Sequence, residues 1–532
     1  MAISLMSSAT METMKTRRKR IWLEQAASIV TDDRISNLPV EVIHEIIALL
    51  PAWAAACLSV LSKKWQYFYD TLRCINFNLE EFRDENGKIL QWKINQFMSK
   101  HLSIKNPYEL QRVKVATHSL FHAKLKNHIG KCIELAIQGR IQELDLSFCH
   151  KHRVEYILFL LPGKFFQSQL QSTVLNLEGC CILENEILGF PLLKILSLKH
   201  SQINNDSLFN IVYSCPKLES LILESCHNLR KVSLINRSLQ ILVVRYCRGL
   251  TSFHLNLPLL HTFEYCGATV NDQHLEWFST LDFESPKGVI LSSAKVAYLS
   301  CLVLEMESLQ HLFSIFPNLS DVKMKHCYVF NGNQAVPGNV KKFTVVDGRF
   351  PHKLIEGFAS SLEFLCWQNN EHFVGRSDCI PSGDLEFVDL TSLTLRGFFI
   401  LSYEALECLM SHCPVLENLN LQNCGHSRVL KTASGILKTL VIEANSHGEG
   451  SKTEAIEIVS PCLLSFEYDG QLVKFSHVVV SKKLICHLRI GKFAKNDHDA
   501  SLLELRDIVE RFREANKLTL ATGSIEVRWH FA

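Results

Sequence analysis

Net charge is nearly absent from this chain of 532 residues, in which 56 Lys and Arg stand against 54 Asp and Glu for a formal charge of +2. That balance excludes bulk electrostatic attraction to nucleic acid or to an anionic membrane surface. Long hydrophobic runs are missing as well. The stretch 46–61 is nearly uncharged but contains Pro51 and falls short of the ~20 residues a spanning helix needs. The stretch 156–166 is shorter and is broken by Pro162 and Gly163, so no transmembrane segment is expected. The opening residues, MAISLMSSATMETMKTRRKR, place their basic run after the mildly apolar part, the reverse of a secretory signal. Signatures of catalysis are lacking too: the sequence has no Gly-rich phosphate loop, no Ser-centred nucleophile elbow and no His-Glu-x-x-His. Histidines such as His227, His326 and His426 are scattered and have no Cys-x-x-Cys beside them. We therefore expect no metal, no cofactor and no catalytic residue.

What is present is a recurring phrase. SCPKLESLILESC at 214–226 returns as SHCPVLENLNLQNC at 411–424, with FPLLKILSLKHS at 190–201 and IFPNLSDVKMKHC at 315–327 as variants. Each copy sets apolar residues at steps of three, two and three, as in Leu218, Leu221, Leu223 and Cys226. Related copies run from Ile141, Leu144 and Leu146 to Ile485, Leu488 and Ile490, and neighbours are mostly about 21 to 28 residues apart. That period and ladder belong to leucine-rich repeats. The two residues spaced by two point to one side of a short strand, and stacked copies bury that side in a continuous core. Helical stretches precede several ladders, at 206–212 and 403–410, and the prolines Pro216 and Pro414 follow them. The chain holds 19 cysteines, which mostly recur at one ladder position, so they read as reduced, small buried hydrophobes and not as a disulfide framework.

A second region, residues 32–72, has a different period. Pro39 and Glu41 open a helix with Ile43, Ile46, Ile47 and Leu50 on one face. Pro51 starts a second short helix, and Leu61, Trp65, Phe68, Tyr69 and Leu72 form one stripe of a third. Three short amphipathic helices in about 40 residues make too small a domain to stand easily alone, so a share of their apolar surface is expected to meet a partner.

These residues carry a resemblance. Asp33, Arg34, Ile35, Ser36, Leu38, Pro39, Leu50, Pro51, Val60, Leu61, Ser62, Lys63, Lys64 and Trp65 match the pattern of a plant F-box. With the repeats behind it, the chain resembles the plant F-box/LRR-repeat family. The expected fold is α/β: an N-terminal three-helix F-box followed by a curved leucine-rich-repeat solenoid with a concave parallel sheet. The resemblance implies the substrate-recognition subunit of an SCF-type, cullin-RING E3 ubiquitin ligase. Such a subunit binds a Skp-type adaptor, through it a cullin, and holds an unknown protein target on its repeats. The adaptor-facing residues it implies are Leu38, Pro39, Ile43, Ile46, Leu50, Pro51, Val60, Leu61 and Trp65. In one place the chain departs from the pattern: Ala52 to Leu58 is apolar where charged and polar residues are usual, and Trp53 and Leu58 are expected to enlarge the adaptor contact or to alter adaptor choice. An LRR scaffold without a ligase role, and a ligand-dependent sensor acting through the same ligase, remain as alternatives.

On the expected concave face, Lys199, Arg245, Lys323, Lys325 and Arg396 stand beside ladder leucines and are candidates for target binding; stacked cations suit an acidic or phosphorylated segment or a polyanion, and otherwise are simply solvated. The run Thr16, Arg17, Arg18, Lys19, Arg20 reads either as a nuclear localisation signal or as an ordinary basic leader, giving an expected location in the nucleus, the cytoplasm or both. The expected segments are a basic leader at 1–30, the F-box at 31–75, a connecting cap at 76–140, repeats at 141–495, and a C-terminal helix and strand at 496–532 that faintly resembles a truncated FBD-like module.

Overall fold

The computed structural model describes residues 35–84, 90–97, 109–117, 123–139, 141–148, 158–167, 170–182, 189–267, 279–280, 282–283, 290–330, 338–348, 350, 352–369, 386–397, 403–424, 429–443, 454–491, 498–522 and 525–530. The leader with its basic run, His426 and most of the expected loops at 331–338, 369–383 and 445–452 lie outside these residues. Two compact units divide the chain, 1–151 and 152–532.

The first unit opens with three helices, α1 (Val40–Leu49), α2 (Ala52–Leu58) and α3 (Lys63–Asp70). Pro39 and Pro51 stand just ahead of α1 and α2, where a missing N–H costs nothing. The Ser62 hydroxyl caps α3 by accepting the Trp65 N–H at 3.2 Å. A parallel ladder follows directly, from Cys74–Asn78 to Arg112–Ala116 to Glu143–Ser147. Stacking therefore begins two strands before the expected start at 141, and much of the supposed connecting cap is ladder. Phe77, Leu79, Phe82 and Phe97 fill the space beneath, with Phe77 stacked on Phe97 at 5.5 Å. Trp92 is 61% exposed, because it lies two residues from buried Ile94 and so on the far side of a helical turn.

The second unit continues the same device. Strands Val174–Glu178, Ile195–Lys199, Ser220–Glu224, Ile241–Arg245, Thr262–Cys266 and Val296–Glu305 pair in parallel, each with the next in sequence. Asp321–Phe330, Lys342–Val346, Phe364–Gln368, Ser392–Arg396 and Asn418–Gln422 carry the ladder on. It ends with Thr439–Glu443, Ser465–Gly470, Ile485–Ile490 and Lys517–Thr522. The expected single terminal strand is instead two, for Ile525–His530 returns antiparallel to Lys517–Thr522. In sequence the turn-favouring pair Gly523-Ser524 separates them. Along each strand inward and outward residues alternate, and inward pairs such as Leu221 and Leu223 are fully buried.

Helices return the chain at Asn205–Tyr213 and Tyr403–Ser411, as the period suggested, and also at Met306–Ile315. Other repeats return through strands that sequence reading did not foresee. Lys231–Ile235, Ser252–Asn256 and Asp282–Phe283 form one small parallel sheet, and Val429–Ala433, Ala455–Ser460 and Lys474–Val480 another. Aromatic rings bridge these to the main ladder: Phe253 meets Phe263 edge to face at 5.5 Å, and Phe466 meets Phe475 at 6.1 Å.

A local feature near the ends of several strands locks one repeat to the next. One residue there turns left-handed: His200, Ser225, Tyr246, Asp347 and Asn423 directly follow their strands, Cys301 and His326 lie within the long strands Val296–Glu305 and Asp321–Phe330, and all have φ between 46° and 55°. Such a φ is costly for side chains other than Gly, and the N–H it redirects offsets the cost by donating to the following strand. His200 N–H reaches Glu224 O at 2.8 Å, and Tyr246 N–H reaches Cys266 O at 2.8 Å. At Gly397 a Cβ would fall 1.7 Å from Asn369 O, so only glycine fits there. The ladder cysteines then do more than fill space. The thiols of Cys226, Cys327 and Cys424 donate to Leu198 O, Leu299 O and Leu395 O of the preceding repeat at 3.4, 3.5 and 3.4 Å. Burial pushes the Cys327 thiol up to about 12, which keeps it a donor. Ser201 fills the same place with its hydroxyl, donating to Leu177 O at 3.3 Å.

This arrangement predicts an order of stability. Replacing Cys327 by Val leaves a buried carbonyl without its donor and costs about 1–3 kcal/mol, whereas Cys327→Ser keeps the bond and costs less. Urea midpoints of the two variants check this, and a Val variant as stable as wild type would contradict it.

Candidate functional site

The three N-terminal helices hold together through a small core. Ile43, Ile47, Ala52, Ala55, Ala56, Phe68, Tyr69 and Leu72 are buried. His44 Nε2 and Thr71 Oγ1 lie 3.0 Å apart and tie α1 to the end of α3. The Asn76 side-chain amide reaches Leu50 O at 3.5 Å and links α1 to the first strand.

Other apolar side chains of the same helices and turns are left uncovered. Leu38, Ile46, Val60 and Leu61, expected to face an adaptor, are exposed; Val60 is 85% exposed and Leu61 66%. Pro39 is exposed beside them. Ile35, Val40, Val42, Leu49 and Tyr67 add to these, and Leu49 reaches 81%. A signal for these was present in the spacing. Val42, Ile46 and Leu49 recur at i, i+4 and i+7, a second apolar face on α1 beside that of Ile43, Ile47 and Leu50. A helix apolar on two sides needs two neighbours, and the folded unit supplies one.

Other expected contacts are corrected. Ile43 is 0% exposed and serves the helical core. Trp53 is half-buried, its ring edge-on to Phe82 at 5.7 Å, so it joins the helices to the strand-bearing part of the unit instead of widening the outer surface. The reason is the run of small residues: buried Ala52, Ala55 and Ala56 let α2 settle closely, and the one large ring among them packs inward. Leu50, Pro51, Leu58 and Trp65 are also half-buried, with Trp65 edge-on to Phe68 at 5.9 Å.

The five expected cations divide. Lys199 pairs with Glu224 at 3.4 Å, and Arg245 forks onto both oxygens of Glu264 at 2.6 and 3.0 Å. Lys323 and Lys325 are exposed and Arg396 half-exposed, and none of these three has a carboxylate within ion-pair distance among the described residues. No group of three or more His, Cys, Asp or Glu among the described residues could hold a metal ion.

Sequence reading missed Glu81. Its Oε1 is buried without a hydrogen-bond partner among the described residues, while the carboxylate also meets the backbone of Trp53. Burial raises its pKa to about 7, and the Trp53 N–H lowers it only in part. Because the folded value lies above the unfolded one, its favourable contribution is complete below about pH 4.5 and is lost as pH rises through about 7. Thermal midpoints taken at pH 5 and pH 8 should fall more for wild type than for Glu81→Gln. Equal falls in the two proteins would contradict this placement of the carboxylate.

Comparison with known proteins agrees with both halves of this geometry. Residues 35–73 match the F-box domain, and residues 129–277 and 340–485 match the family described as FBD-associated F-box protein At5g56370, LRR repeats. The chain is 23% identical over 450 residues to the F-box/FBD/LRR-repeat protein At5g22700 of Arabidopsis thaliana, spanning 81% of this chain and 84% of that protein. To F-box/LRR-repeat protein 25 of the same plant it is 26% identical over 212 residues, 38% of this chain and 72% of that one. To FBD-associated F-box protein At4g10400 of Arabidopsis thaliana it is 28% identical over 212 residues, 39% of this chain and about half, 49%, of that protein. The chain belongs to the plant F-box/LRR-repeat family, with an F-box domain ahead of leucine-rich repeats of the FBD-associated kind.

Proposed function

We propose that this protein is the substrate-recognition subunit of an SCF-type, cullin-RING E3 ubiquitin ligase. Its F-box docks on a Skp-type adaptor and through it on a cullin, and its repeat sheet holds a protein target for ubiquitination. The protein itself is not an enzyme in this reading; transfer chemistry belongs to the other subunits, and the complex works in the nucleus, the cytoplasm or both. One observation carries the reading: Leu38, Ile46, Leu49, Val60 and Leu61 are all exposed within the small helical unit that matches the F-box. Apolar exposure of that kind favours burial by a partner.

Binding of a purified Skp-type adaptor to the full chain tests the proposal. Leu49→Asp and Val60→Asp alter side chains 81% and 85% exposed, so the fold should tolerate both. Each should weaken adaptor binding by about 30-fold or more, the effect of losing an interface hot spot. A folded native chain that fails to bind the adaptor would overturn the ligase reading.

A further inference from the structure

Outward side chains of the main ladder stand in columns set by strand register, and the charges in those columns are not evenly neutralised. Lys199, Arg245 and Arg489 each pair with a carboxylate on a neighbouring strand, Glu224, Glu264 and Asp469. The middle of the second unit differs. Lys323 and Lys325 on Asp321–Phe330, Lys342 on the next strand and Arg396 on Ser392–Arg396 have no ion-pair partner among the described residues. Asp321 lies in register with Lys342 and is the one carboxylate in those outward columns from 321 to 396, against four cations. Like charges on adjacent strands repel, so this stretch is held at a cost that a bound anion would relieve.

Hydrogen-bonding groups stand among the cations, with Val346 and Phe364 beside them. Register places Lys323, Thr344, Cys366, Thr394 and Asn420 in one column, with Gln368, Arg396 and Gln422 in the next. Lys323 stands two strands before Cys366 and Arg396 one strand after it, so the thiol lies between the two cations. Toward the earlier repeats the outward face turns apolar: Ile195, Ile241 and Tyr246 are 37%, 40% and 43% exposed, with Ile222, Val296 and Tyr298 partly exposed beside them. The charges within that zone neutralise one another. Six strand spacings of ~4.8 Å separate the strand of Ile241 from that of Arg396, a span of about 29 Å, which an extended peptide crosses in about nine residues.

We propose that this stretch of sheet is a docking site for an acidic segment of a protein target, with apolar side chains over Ile241 and Tyr298 and carboxylates over Lys323, Lys325, Lys342 and Arg396. The site names the chemical class of target for the receptor reading, and rests on that reading only in taking a protein as the ligand.

Fluorescence anisotropy on the full chain tests it, with a labelled peptide of about ten residues that is rich in Leu and Tyr in one half and in Glu in the other. A second peptide replaces every Glu by Lys. The Glu peptide should bind and the Lys peptide should not, and added salt should weaken binding. Lys323→Glu with Arg396→Glu should reduce affinity at least about tenfold, as should the milder pair Lys323→Ala with Arg396→Ala if either cation pairs with a carboxylate of the peptide. Lys217→Glu with Lys482→Glu, the same charge change at exposed turns, should leave affinity within about twofold. No binding by the native chain, equal binding of the two peptides, or equal loss in the turn variant would overturn the proposal. So would inorganic polyphosphate binding more tightly than the Glu peptide at the same cations, which would make this a site for a free polyanion. Adaptor binding measured on the same preparations reports on the ligase reading separately, because those substitutions lie outside the F-box.

Discussion

The hydrogen bonds that run from each strand to the next in sequence carry the rest of the structure. A strand of five residues cannot bury its own apolar side, so each repeat depends on the one before it for both backbone partners and core. Register is what makes the stack usable. Leu242 and Val244 sit on Leu221 and Leu223, and one residue of slip would turn both outward. The left-handed residues that follow several strands and the buried thiols or hydroxyl beyond them oppose such a slip, since they bond carbonyls whose positions depend on correct stacking. Ser201 standing where other repeats place Cys shows that the donor, as much as the volume, is retained.

The same register decides where chemistry can lie. Inward positions are filled by the core, so only the outward columns and the loops are open to ligands. Because successive strands are parallel, an outward cation on one strand stands beside whatever the next strand presents at that level. Where this neighbour is Glu, as for Lys199, or where a Glu stands one outward position away on the next strand, as Glu264 does for Arg245, the charge is used within the sheet. Where it is Thr344 or Val346, as for Lys323 and Lys325, the charge remains available. The F-box obeys a comparable division, with α1 giving Ile43 and Ile47 to its own core and Val42, Ile46 and Leu49 to the outside.

Much of this was legible beforehand. Leucine spacing revealed the ladder, and the DRISNLP and VLSKKW segments revealed the F-box, because both patterns are local and periodic. The earliest strands were not legible, because Cys74–Asn78 and Arg112–Ala116 hold the alternation without the leucines that mark later copies. The returning strands, such as Ser252–Asn256, escaped notice for a related reason: short apolar runs do not distinguish strand from helix by period alone. Ion pairing on the outward face depends on which repeats become neighbours, and it divided five similar cations into two that are paired and three that are not. The inward turn of Trp53 depends on Phe82, about thirty residues away, and no local pattern carries that information.

Hydrogen–deuterium exchange on the full chain, with and without a purified Skp-type adaptor, tests the central claim most directly. The account predicts slowed exchange across 38–50 and 58–67, the segments bearing the exposed apolar side chains, with no change across 321–330, 342–346 and 392–396, where the outward face is held open for a target. Unchanged exchange in the helices at saturating adaptor, or protection confined to those sheet strands, would contradict it.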